Sequence, residues 1–431
     1  MEKRNQAAKL IIGTVIVIIA VLFLAGIVSG HNLLYKGAPL SREDIDYLQA
    51  EAPTASGYDG TITAADWNAL YPDIVFSMDA NSSNDEIVDY LKLDPYLVEI
   101  YEGFGFAKEY GSARGHSYTL EDVAHTARPH PLANCLTCKT PNFTKLVQDT
   151  GVSAYKLPFD DVLAEIQEKG EAVSCYTCHG NNAGNGGEIV ITHTYVQKAL
   201  GANAAEIDPA TLSCGQCHIE YYFTPDEKET MMPYHSVAEM TPEAIYDYYT
   251  ALGYSDWTQE STGAKMLKAQ HPEMETYLLG KHAGSLNCAD CHMPVEENTQ
   301  TQTVFHSHLL VSPLENKTLL ETCLRCHTNM KSTDEMVTFV RNIQARITDE
   351  ETRVGNLLMK FKQTLAAANQ AGTLSEEQLD EVRELYRKAQ WFFDFCYVEN
   401  AEGAHNSDLA TRCLYTSEQL IKQGMTLLDA Q

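Results

Sequence analysis

Five cysteine pairs, each with two residues between the sulfurs, constrain this chain more than any other feature. Four are followed at once by histidine: "CYTCH" (175–179), "CGQCH" (214–218), "CADCH" (288–292) and "CLRCH" (323–327). The first in chain order reads "CLTCK" (135–139), with Lys139 in place of the histidine. Cys-x-x-Cys-His is the attachment motif of c-type haem: the two thiols form thioethers, and the histidine beside them binds iron. Zinc sites also use paired cysteines but do not demand a histidine directly after the second one. A secreted disulfide scaffold would be shorter and less regular. A chain of this kind packs its core around large apolar cofactors and needs fewer side-chain hydrophobes per unit volume.

The rest of the chain limits the fold class. From about residue 334, Val337, Val340, Ile347, Val354, Leu358, Phe361 and Leu365 recur at helical spacing, and Gly372 stops the helix. "SEEQ" (375–378) offers a capping box for a second helix carrying Leu379, Val382, Leu385, Tyr386, Ala389 and Phe393. A third begins after "HNSD" (405–408). No stretch alternates well enough for a substantial sheet. The expectation is a mainly α multihaem cytochrome c with a haem-packed core, long C-terminal helices and little β structure. Three regions are expected: residues 1–30, a pentahaem catalytic region over 31–330, and a C-terminal helical region over 331–431 that offers a dimer interface.

Residues 10–28 carry no charge and follow a basic start with Lys3, Arg4 and Lys9. That predicts a signal anchor or membrane-spanning helix with the remainder of the chain outside the cytoplasm; cleavage near "VSG" (28–30) is the alternative. Acidic residues outnumber basic ones, 59 to 31, for a formal charge of −28. Such a chain lacks the basic face that phosphate backbones require, so nucleic acid is not an expected partner.

Each motif histidine, His179, His218, His292 and His327, takes one face of its iron. Eleven further histidines lie outside the motifs, enough to close the opposite face of four haems and make them electron wires. Lys139 differs. A lysine amine binds iron only when deprotonated, and it donates σ density without accepting π density. A haem held by lysine with its other face open suits reduction of a small π-accepting substrate. A "CLTCK" without haem, closed as a disulfide, is the plain alternative.

One CxxCK followed by four CxxCH resembles the pentahaem, ammonia-forming cytochrome c nitrite reductases. The resemblance extends over about 65–428 through "DPYLVEIYEGFGFAKEY" (94–110), "RGH" (114–116), "CGQCHIEYYF" (214–223), "SDWT" (255–258), "KAQHPEMET" (268–276), "CHMP" (291–294) and "AQWFFDF" (389–395). It implies five covalently bound haems c on Cys135, Cys138, Cys175, Cys178, Cys214, Cys217, Cys288, Cys291, Cys323 and Cys326. It also implies a catalytic haem at Lys139 with Arg128, Tyr221 and His271 in its distal pocket. The distal ligands would be His116 for "CGQCH", His308 for "CYTCH", His282 for "CLRCH" and His405 for "CADCH", although "FHSH" offers His306 as well as His308. A calcium ion would lie at Glu220, Tyr221, Lys268 and Gln270. The implied reaction is six-electron reduction of nitrite to ammonium, in a dimer fed by a quinol-oxidising tetrahaem cytochrome or a soluble multihaem donor. A carrier without a substrate, or action on sulfite or hydroxylamine, are the alternatives. Cys396 and Cys413 belong to no motif and are expected either as a disulfide between the last helices or as buried apolar residues.

Overall fold

The computed structural model describes residues 51–372 and 374–429. The apolar run over 10–28 lies outside the described residues, and no described helix is long and apolar enough to cross a membrane.

The first haem motif leads directly into helix α1 (Pro141–Thr150). The Thr140 hydroxyl accepts from Asn142 N at 3.2 Å, and Pro141 occupies the first helical position, where no N–H is needed. Helix α2 (Phe159–Lys169) packs back on the motif, and Leu136, Phe143, Tyr155, Phe159 and Ile166 form one buried cluster. Then come α3 (Pro242–Ala251) and the short α4 (Glu273–Leu278). Strand structure among the described residues amounts to three two-stranded antiparallel hairpins. They are β1 (Tyr222–Phe223) with β2 (Thr230–Met231), β3 (Trp257–Thr258) with β4 (Lys265–Met266), and β5 (Val295–Asn298) with β6 (Thr303–His306). The expectation of a mainly helical chain with little β is borne out.

Three long helices close the chain: α5 (Thr333–Ala371), α6 (Glu376–Tyr397) and α7 (Ser407–Asp429). Gly372 ends α5 in the left-handed conformation (φ 61°), where a side chain would be strained. Ser375 caps α6 in the expected box: its hydroxyl accepts from Gln378 N at 3.3 Å, and Ser375 N donates to Gln378 Oε1 at 2.9 Å. Ile347, Val354, Leu358, Phe361 and Leu365 are buried along one face of α5, whereas Val337 and Val340 near its start are only half-buried. These helices share one large core with Tyr96, Ile100, Tyr101, Tyr249 and Met274, which lie beside the pocket described below.

The same core buries an acid. Glu351 accepts a hydrogen bond from the Cys396 thiol at 3.2 Å. Cys396 and Cys413 are both buried and free, so the second of their two expected states is the one found. Burial, joined by the negative charges of Glu402, Glu399 and Asp94, pushes Glu351 up to about 8 against the opposing thiol bond. The folded protein therefore keeps a proton that the unfolded chain has already released above the ordinary glutamate value. This contribution to stability is complete below that value and is lost as pH rises through about 8. Glu351→Gln is expected to stabilise the protein by up to about 5 kcal/mol at about pH 9 and to change little at about pH 5. Thermal melts at the two pH values would read this, and an equal effect at both would contradict it.

Candidate active site

Lys139 sits at the end of a tight turn that the chain fixes from several sides. Ala133 N donates to Leu157 O at 2.9 Å, and Lys139 N donates to Leu136 O at 3.0 Å. The Lys139 carbonyl accepts from Thr119 Oγ1 at 2.7 Å. The side chain is half-buried, and its amine makes no ion pair among the described residues. Nine of the ten motif cysteines are half-buried and Cys326 is exposed; none is in a disulfide. "CLTCK" therefore holds two free thiols, not the disulfide of the plain alternative, and all ten sulfurs stay available for thioether bonds.

Arg128 approaches from the loop after the helix Thr119–His125. Its Nε donates to Thr126 Oγ1 at 3.0 Å, and its guanidinium lies 4.4 Å over the Phe106 ring. No carboxylate is within ion-pair distance of it among the described residues. Lys268 uses the same ring, with Nζ 4.3 Å from the Phe106 centroid and 5.0 Å from that of Tyr110. Burial lowers Lys268 to about 8, although Asp394 and Glu220 pull it upward.

His271 and Tyr221 are placed by two crossing segments. His271 N donates to Ile219 O at 3.2 Å, and Met274 N donates to His218 O at 3.1 Å. Glu220 then ties the pair: its N–H donates to Glu275 Oε1 at 2.8 Å, and its carboxylate accepts from Gln270 N at 2.5 Å. Desolvation, then the nearby Lys139, His218, Lys268 and Arg128, hold His271 well below the usual imidazole range. Burial and the Cys138 and Cys135 sulfurs push the Tyr221 phenol up, with Arg128 opposing. Tyr221 is within electrostatic range of Cys135, Cys138 and Arg128, and His271 is within range of Lys139 and Arg128. The fold thus brings together four residues spread over 128–271.

The four intact motifs each face a second histidine. Ring centroids are 6.2 Å apart for His116 and His218, 6.4 Å for His179 and His308, 6.1 Å for His282 and His327, and 6.2 Å for His292 and His405. A metal–imidazole bond of about 2 Å, plus about 1.2 Å from nitrogen to ring centre, gives about 6.4 Å across a sandwiched ion. The pairs fit a six-coordinate haem iron. Of the two candidates in "FHSH", His308 is the ring facing His179, while His306 Nδ1 lies 3.3 Å from Met293 O.

The oxygens around Glu220 fit a hard cation. Glu220 is buried and held well above the carboxylate range by desolvation; Tyr249 OH donates to it at 2.8 Å. Glu275, pushed up to about 7 by burial, leaves Oε2 without a partner. Asp256 accepts from Lys268 N at 2.9 Å. No group of three or more His, Cys, Asp or Glu among the described residues could hold a metal alone. Gln270 Nε2 donates to the Lys268 carbonyl at 2.8 Å, which puts Glu220, Lys268 and Gln270 in one cluster, and a calcium ion here would draw on oxygens of these residues and of Tyr221. Asp256, Glu275, Phe106 and Asp394 were not assigned from sequence. They lie within or beside the quoted stretches, yet nothing in their spacing distinguishes them from packing residues.

Paired histidines facing each other beside attachment cysteines define a multihaem c-type cytochrome. The cytochrome c552 family model matches residues 65–431, and the chain belongs to that family, the nitrite reductase family its motifs resemble. A cytochrome c-552 from Desulfotalea psychrophila is 31% identical, over 81% of this chain and 71% of that one. The solved catalytic subunit of a cytochrome c nitrite reductase from Desulfovibrio desulfuricans, described with two calcium sites, shares the fold. Its TM-score is 0.77 over 86% of each chain, at 24% identity.

Proposed function

We propose that this protein reduces nitrite to ammonium at the haem carried by Cys135 and Cys138, with Lys139 as its iron ligand and five haems c in all. One observation carries the reading. The single motif lacking a histidine has Arg128, Tyr221 and His271 within electrostatic range of its cysteines or lysine, while each of the other four faces a second histidine. When bound, the haem supplies electrons and a site for nitrogen; four histidine-paired haems would feed it.

The chain's own groups do the rest. Arg128, free of any carboxylate among the described residues, binds the anion and stabilises charge on its oxygens as N–O bonds break. A fixed cation matters in a chain of charge −28, whose overall field repels nitrite. His271 is neutral at neutral pH and donates an N–H to the bound anion. Its depressed basicity makes its protonated form a ready acid for the successive protonations. Tyr221, with a raised pKa, stays a hydroxyl donor. A calcium ion at Glu220, Tyr221, Lys268 and Gln270 would brace both segments and add positive potential.

The same reading makes the protein extracytoplasmic, anchored by the N-terminal apolar run, dimeric through its long helices, and supplied by a quinol-oxidising tetrahaem cytochrome or a soluble multihaem donor. Tyr415 on α7, exposed, supports the helical interface.

Lys139→His tests the reading. Mass spectrometry should still count five haems, while ammonium formed per unit time from nitrite with reduced viologen should fall at least about tenfold, more than about 1.4 kcal/mol of barrier. Unchanged turnover would remove the role given to the lysine, and nitrite consumed without ammonium would remove the reaction.

A further inference from the structure

We propose that Glu399 is a positioning residue for His405, and that its carboxylate makes the haem carried by Cys288 and Cys291 the most reducing of the four histidine-paired haems. The inference rests on the reading of His292 and His405 as that haem's two ligands.

His405 lies in the loop between α6 and α7, and Glu399 opens that loop. Glu399 is 4% exposed. Its Oε1 is 2.5 Å from His405 Nδ1. The loop is tied to α4, the helix that starts just after His271: Asn400 Nδ2 donates to Glu273 Oε1 at 2.5 Å and Asn406 Nδ2 donates to Thr276 O at 3.3 Å. Gly403 takes φ +81°, and a Cβ there would run into Ile347 of α5, so the turn holds His405 in one place.

Other ligand rings have weaker partners. His179 Nδ1 meets Glu188 O at 2.8 Å, His292 Nδ1 meets Val311 O at 3.0 Å, and His308 Nδ1 meets His306 O at 2.9 Å. Among the described residues only His405 of the eight gives its Nδ1 proton to a carboxylate. An imidazole donating to a carboxylate gains imidazolate character, which raises the basicity of its other nitrogen. A more basic ligand and a buried negative charge both favour ferric over ferrous iron and so lower the potential. Neutral carbonyls do this to a smaller degree.

The test is a potentiometric titration of the full-length, haem-loaded protein, followed by electron paramagnetic resonance. In Glu399→Gln the most negative low-spin step should move to more positive potential while the other three stay in place. No movement, or equal movement of all four, would overturn the proposal. His405→Ala checks the ligand reading separately. It should create a new high-spin ferric haem; without one, the ligand pair is wrong and the proposal falls with it. A new high-spin haem together with unmoved potentials in Glu399→Gln would overturn the Glu399 role alone. If Glu399→Gln does not fold, the unmodified protein still decides. Near-infrared magnetic circular dichroism should show one low-spin haem with its charge-transfer band at higher energy than the other three, and four coincident bands would overturn the proposal.

Discussion

Arg128→Gln is expected to lower kcat/KM for nitrite about 10²–10³-fold, the usual cost of removing one preorganised donor from a site of developing negative charge. The guanidinium is held by Thr126 and the Phe106 face and has no carboxylate to satisfy among the described residues. Glutamine keeps a hydrogen-bond donor but removes the charge, so both KM and kcat should suffer. Arg128→Lys restores charge without the planar fork and should recover only part of the loss. Steady-state kinetics with a reduced dye donor reads both variants. Nitrite kinetics in Arg128→Gln equal to those of the parent would show that the anion is bound elsewhere.

His271→Asn should cost about 10²–10⁴-fold in kcat, the range for a positioned acid–base group, with a smaller change in KM. Asparagine keeps one N–H donor near the anion but cannot exchange protons. The pH profile makes the test specific: the parent's kcat should respond to the titration of His271, below the ordinary imidazole range, and the variant should lose that limb. Because Met274 N binds His218 O beside it, a purely structural role would disturb the neighbouring haem instead. A loss of activity with an unchanged pH profile and an altered low-spin resonance would assign His271 to packing.

The helical elements were largely legible in the sequence, for local reasons. Gly372 and the Ser375–Gln378 box act on their own neighbours, and the α5 stripe follows the 3.6-residue period wherever the core touches it. The stripe fails at Val337 and Val340, half-buried in a helix whose start emerges from that core. Periodicity identifies a helix face but not where its partner ends. The choice between His306 and His308 could not be made from "FHSH", since residues two apart in an extended segment point the same way; the path of the chain beyond β6, where His308 N donates to Ser77 Oγ at 2.9 Å, decides it.

The buried acids were the least legible part. Asp256, Glu275, Asp394 and Glu351 are far apart in sequence, and carboxylates are ordinarily solvated. Their raised pKa values arise only once the fold removes water from around them.

What the sequence by itself determined is the chemistry of attachment: ten cysteines in five pairs, four histidines beside them, and one lysine. A thioether motif is local, and its meaning needs no tertiary contact. Only the tertiary structure decided what stands opposite each motif. His271 lies within electrostatic range of Lys139 and Arg128, and Glu399 meets His405, because segments separated along the chain cross at short range. Position in space, unlike the identity of an attachment motif, is a property of the packed molecule.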